Sequence, residues 1–290
     1  MRTSSLIAAL FASSILTTGA FAQDAPAVDD PEIRLDAGKT DTDAPRVDLG
    51  TGAGGVDLPD VNPAAGSGST KPPAAGGRAA PVIPESIKKM TDEEKQKLGS
   101  LLSDASAYLA GIRVQEAFEK LVEAELMAPD YAAVHNLIGA AHTKTRDFDK
   151  AAASFARAVE LNPAAFMSKF NLTEIHFVQG KWDLAEKEFQ SLLAEDEKMD
   201  PSTRSLIEFK ILICKLKQAD EAGAKEVLSG FDYLDDHPGF YYGNAAVHFN
   251  KDEEAEARKW LKSAERIYPK AQLDIYTVSF VEVGWIENLQ

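Results

Sequence analysis

Three histidines, His142, His176 and His248, are the side chains of this 290-residue chain best suited to bind a metal or move a proton. All three occupy one point of a repeating pattern set out below, with His142 and His176 in neighbouring units. Zinc needs its ligands ~2.0–2.1 Å from a single centre. Equivalent residues on neighbouring packed helices are separated by ~8–10 Å or more. The ladder therefore reads as packed, hydrogen-bonded imidazoles, with no metal and no cofactor. The acidic runs "EDEKMD" (Glu195 to Asp200) and "KDEE" (Lys251 to Glu254) close one helix and open another. Acids at a helix start complement its dipole. Nothing apolar surrounds them to raise a carboxylate for acid–base work.

Other matches to chemical motifs have no supporting context. "GTGAGG" (Gly50 to Gly55) fits G-x-G-x-x-G, but that phosphate cradle needs a strand before it and a helix after it, and the flanks supply neither. Asn171-Leu172-Thr173 fits a glycosylation sequon but falls inside a predicted helix. The single cysteine, Cys214, sits within "LIEFKILICKLK" and reads as a small buried hydrophobe. There is no G-x-S-x-G, H-E-x-x-H, phosphate loop or C-x-x-C pair. The chain reads as non-enzymatic.

The elements that would position these residues begin well into the chain. Residues 1–22 combine "MRTSS" with the short apolar run "LIAALFASSILTTGAFA", ending Ala20-Phe21-Ala22. That pattern predicts a cleaved secretory signal, hence export to the periplasm or the extracellular space. No second apolar run of spanning length follows, so no membrane span is expected after cleavage. With one cysteine, the exported chain has no internal disulfide and must be held by packing. Residues 23–84 are rich in Ala, Pro, Gly and Asp and lack aromatics. They cannot bury enough apolar surface to offset chain entropy, which predicts a disordered linker. The net charge of −15 disfavours nucleic acid and anionic lipid as partners.

From residue 85 apolar residues recur at helical spacing. "DFDKAAASFARAVELNP" carries Ala151, Phe155, Ala158 and Pro163, and Ala117, Leu121, Ala124 and Pro129 precede them at one constant offset. The same offset forward reaches Ala185, Phe189 and Leu192, and near the end Ala257, Leu261, Ala264 and Pro269 keep the same internal spacing. A small residue lets two helices approach, a large one fills the next groove, and proline stops the helix. Leu137, Gly139 and Ala141 on the preceding helix complete the unit.

This pattern, with its period of about 34 residues, resembles the tetratricopeptide repeat. Its units lie near 98–131, 132–165, 166–201, 205–237 and 238–270, with a cap at 271–290. The unit at 205–237 is degenerate and is placed by Ala224 and Leu228. The fold expected is all-α: a right-handed α-solenoid of about five helix pairs closed by a C-terminal capping helix, with Ile275, Val278 and Val281 facing inward. Thr91, with acids after it, opens the array.

The resemblance implies that positions 2, 5, 9, 12 and 13 of each first helix form a concave binding face. Positions 5 and 12 give Leu102 and Leu109, Asn136 and Thr143, Phe170 and Phe177, Phe209 and Leu216, and Tyr242 and Phe249. Such an apolar row is either a peptide-binding groove or core packed inside or against the cap. Ala140 and Glu174 stand where family members that clamp a C-terminal carboxylate place polar and basic groups. The function implied is a non-enzymatic scaffold of the cell envelope that binds a protein or peptide. The alternatives are a self-association module and a non-catalytic subunit of an envelope enzyme complex.

Overall fold

The computed structural model describes residues 83–196 and 199–287. The expectations for the signal segment, for the linker as far as residue 82 and for "GTGAGG" lie outside the described residues. Twelve α-helices and no strand occur among those described. In chain order they are α1 (Glu85–Lys89), α2 (Asp92–Ala110), α3 (Val114–Met127), α4 (Ala132–Lys144), α5 (Phe148–Leu161) and α6 (Phe166–Val178). They continue with α7 (Trp182–Glu195), α8 (Pro201–Lys217), α9 (Glu221–Leu228), α10 (Gly239–Asn250), α11 (Glu254–Ala264) and α12 (Lys270–Glu282). Helices α2 to α11 form five successive hairpins, each packed on the next.

Local chemistry sets the helix boundaries. Thr91 and Glu94 make a reciprocal capping box: the Glu94 amide donates to Thr91 Oγ1 at 3.2 Å and the Thr91 amide to Glu94 Oε2 at 2.8 Å. Asp147, Asp200 and Asp220 cap α5, α8 and α9 through their side chains, and Pro201 opens α8 where its missing N–H costs nothing. Each hairpin turns at one residue with positive φ: Ile112, Arg146, Gly180, Ala219 and Asp252, all between 59° and 72°. Their spacing follows the repeat, with one longer interval between Gly180 and Ala219. Counted from 132, Arg146 is fifteenth; counted from 205, so is Ala219, which puts the degenerate fourth unit in the same frame as the others. The added length precedes it, in the 196–200 connection and the lengthened α8.

The hairpin core follows the small–large–small logic. Ala151, Phe155 and Ala158 are fully buried on α5. A Cβ on Gly139 would lie 2.6 Å from the Phe155 ring, so only glycine lets α4 and α5 close to this distance. Ala117, Leu121 and Ala124 fill the same places in α3, and Ala185, Phe189 and Leu192 in α7.

Helix α12 does not stack on α11 as a further unit would. Its ring contacts and hydrogen bonds run to α8 and α10, which it follows in parallel. Its ring contacts and hydrogen bonds come from Tyr276, Thr277, Ser279 and Phe280, and of the three residues expected to face inward Ile275 packs against the same core cluster. Val278 is buried, while Ile275 and Val281 are half-buried. Aromatic side chains win the contact because the opposing floor is itself aromatic.

Candidate functional site

The residues expected to line an open groove are not open. Leu109, Phe170, Phe177, Phe209, Tyr242 and Phe249 are all buried, Asn136 is buried, and Leu102 is half-buried against two core clusters. The correction has two physical causes. In the third unit, first-helix aromatics turn into their own hairpin: Phe170 and Phe177 meet Phe189 at ring-centroid distances of 6.1 and 6.3 Å, and Trp182 meets the edge of Phe177 at 5.3 Å. In the fourth and fifth units the inner face is genuinely reached, but α12 covers it. Phe209 touches Tyr276 and Phe280 at 5.0 and 5.6 Å, and Tyr242 stacks on Phe280 at 5.5 Å. Phe249 meets Phe280 and Trp285 at 5.2 and 6.1 Å. Leu216 is buried in the same cluster. Thr143 is also buried and turns back to donate to the Gly139 carbonyl at 2.9 Å.

Asn136 ties first helices together instead of offering itself to a ligand. Its Oδ1 accepts from Asn171 Nδ2 at 3.1 Å. Asn171 is fully buried, so the sequon it heads is not accessible.

A buried charge cluster joins three elements. Lys210 on α8 is 1% exposed at its side chain. Its Nζ lies 3.0 Å from Glu174 Oε2 on α6 and 3.4 Å from Glu282 Oε2 on α12, and it donates to Ser279 Oγ at 3.0 Å. The ammonium also sits 4.6 Å above the Phe177 ring. Two buried carboxylates share one cation. Burial raises both carboxyls, Glu282 to about 7, with Lys210 pulling each back and Glu174 pushing Glu282 up. Burial lowers the lysine, but the two carboxylates outweigh it and hold it above its ordinary value. The cluster was not legible in the sequence, because its members come from three distant stretches of chain and only the docking of α12 unites them.

A second buried line has the residue types of a catalytic triad. Ser205 Oγ lies 2.9 Å from His237 Nδ1, and His237 Nε2 lies 3.7 Å from Asp235 Oδ2. The hydroxyl is not available to a substrate. Tyr276 Oη donates to it at 2.8 Å, and a Cβ on Gly239 would stand 2.6 Å away. The line fastens α8, the 229–238 connection and α12 together. Cys214 is fully buried, and burial pushes its thiol well above the usual range.

The histidines at the repeated point each find a partner nearby. His176 Nδ1 lies 2.7 Å from Glu188 Oε2, His248 Nδ1 lies 2.6 Å from Glu253 Oε2, and His142 tilts against Phe118 at 5.0 Å. Among the described residues no group of three His, Cys, Asp or Glu side chains is placed to hold a metal, and no helix is long and apolar enough to cross a membrane.

Position 13 of the first helices carries chemistry that positions 5 and 12 do not. In the fourth unit it is Lys217, whose Nζ reaches the Val283 carbonyl at 3.4 Å and lies 4.4 Å over the Trp285 ring. In the second unit the equivalent residue is Lys144. It is buried, its Nζ has no hydrogen-bond partner, and burial alone pushes it down to about 8. A cation desolvated without a counter-charge costs free energy that an arriving carboxylate would recover. The sequence signal for it was the recurrence of lysine at position 13, visible at Lys144 and Lys217.

No curated protein matches the chain. Among solved structures, one described as "Crystal structure of YrrB: a TPR protein with an unusual peptide-binding site" is similar at a TM-score of 0.46 and 15% identity, covering 67% of this chain and 97% of that one. Residues 105–164 and 138–200 match the family model described as tetratricopeptide repeat, which spans the second, cleanest helix pair and its neighbours on both sides.

Proposed function

We propose that the chain is an exported, non-enzymatic adaptor of the cell envelope that holds a protein or peptide partner on the inner face of its first three units. The tetratricopeptide match supports a protein-interaction role at the level of class. The observation that carries the more specific reading is Lys144: a buried ammonium with no hydrogen-bond partner, in the row that faces α12 in the fourth unit. The partner supplies an acidic side chain to it. The apolar run at residues 6–22 and its A-x-A ending support export, with the periplasm as the setting.

The test is a pull-down from an envelope extract with wild type, Lys144→Met and Lys144→Glu. Methionine keeps the stem and removes the charge, so loss of specific partners with both variants, at unchanged helical content, supports the reading. An unchanged partner set with Lys144→Glu removes this face from the account. Phe170→Ala and Phe177→Ala are unsuitable for this purpose, because both rings belong to the core.

A further inference from the structure

Helix α12 contacts α8 and α10 as a ligand contacts a receptor. Tyr276, Ser279, Phe280 and Val283 recur at i, i+3, i+4 and i+7, so one stripe of the helix meets the repeats. The repeats answer with an aromatic floor from positions 5 and 12, made of Phe209, Tyr242 and Phe249. They add a cationic wall from Lys210 and Lys217. Polar groups fix the register: Tyr242 Oη and Thr277 Oγ1 are 2.6 Å apart, Tyr276 donates to Ser205, and Lys210 holds Ser279 and Glu282. This is the helix-in-groove arrangement, with spaced anchors and a charged latch. The hairpin contacts elsewhere differ: α4 against α5 uses Gly139, Phe155 and alanines. The connection from α11 to α12 exposes Glu265, Arg266 and Ile267, and Tyr268 after them is buried and donates to the Asp235 carbonyl at 2.8 Å.

We propose that the fourth and fifth units form a groove for an amphipathic helix, that α12 is its resident occupant, and that the external partner is a helix carrying Tyr-x3-Phe-x-Glu in the register of Tyr276, Phe280 and Glu282. The glutamate meets Lys210 and the two rings meet the aromatic floor. A tethered helix competes at an effective concentration in the millimolar range, so the partner gains the groove only when α12 leaves it. The inner face thus has two stations, a buried lysine without a hydrogen-bond partner at Lys144 and an occupied one at Lys210.

The experiment uses the whole chain with a protease site inserted between Arg266 and Ile267. After cleavage both pieces remain in solution, and a fluorescein-labelled peptide of residues 267–287 is added. The expected result is uptake of the label, release of the resident segment and unchanged far-UV circular dichroism, with the Phe280→Ala peptide binding at least about tenfold more weakly, as truncation of a buried anchor predicts. The proposal is overturned if the segment does not exchange, if cleavage or exchange unfolds the repeats, or if the Phe280→Ala peptide is taken up equally well. It is also overturned if light scattering of the uncut chain shows a dimer that Phe280→Ala abolishes, since the groove would then belong to a second copy's α12. The assay involves only the chain's own sequence at the last two units, so its failure leaves the Lys144 reading standing, and failure of that reading leaves this one.

Discussion

Replacing Lys210 with methionine removes the cation and keeps most of the side-chain volume. It strands Glu174 and Glu282 in the interior without a counter-charge. Breaking a buried ion pair from one side costs ~3–5 kcal/mol. The cost has a specific dependence on pH. In the wild type, burial holds Glu282 at about 7 against an ordinary 4.5, so the native state retains a proton that the unfolded chain has released. The contribution is fully favourable below pH 4.5, weakens as pH rises to about 7, and is level above that, a change on the order of 3 kcal/mol at ~1.4 kcal/mol per unit. Without Lys210, both carboxyls rise further, because the group that pulls each of them down is gone. The deficit of the variant is therefore smaller at pH 5, where Glu282 keeps its proton, and grows towards pH 8. Urea denaturation of both proteins at pH 5, 6, 7 and 8 measures it. A deficit of equal size at pH 5 and pH 8 would refute the reasoning and reduce Lys210 to packing and its contact with the Phe177 ring.

Three further outcomes follow from packing. Gly139→Ala should lower stability by ~1–3 kcal/mol, because its Cβ meets the Phe155 ring at 2.6 Å, whereas Gly99→Ala, with nothing within 4 Å, should stabilise by ~0.4–1 kcal/mol; thermal melts of the pair check both signs. Phe177→Ala should cost ~3–5 kcal/mol by denaturant titration, since the ring is fully buried between Trp182 and Phe189, and a loss below ~1 kcal/mol would mean that the ring is not core.

The repeat itself was legible because sterics write it into local sequence. Ala151, Phe155 and Ala158 can occupy only one kind of contact, and their periodic recurrence gives both the helix pair and the stack. The degenerate unit was legible from Ala224, which the turn at Ala219 places in frame. The binding face was not. Phe170 and Phe209 stand at the same position of their units and look alike in sequence, yet one faces its own hairpin and the other faces α12. Which of these occurs depends on whether another element arrives to cover the position, and that is tertiary information. The buried cluster at Lys210 was hidden for the same reason, since nothing near Lys210 in the chain announces Glu174 or Glu282. Lys144 was reachable, because position 13 belonged to the inner face from the outset, but the apolar row at positions 5 and 12 is the louder signal.

A stack of repeats is mechanically a spring: each unit touches only its neighbours, so strain at one joint spreads freely to the next. Lys210 and Ser279 break that rule by joining residues 69 apart, and Ser205 and Tyr276 join residues 71 apart. With the Tyr242–Thr277 bond from α10, these bonds brace α8, α10 and α12 against one another, so the last two units can neither stretch nor unwind separately. Glu174 on α6 is held by the same lysine, so only the first two units keep the character of an ordinary stack. The last units thus act mechanically as one block, and a pull applied along the stack meets bonds that skip over intervening helices before it can separate them.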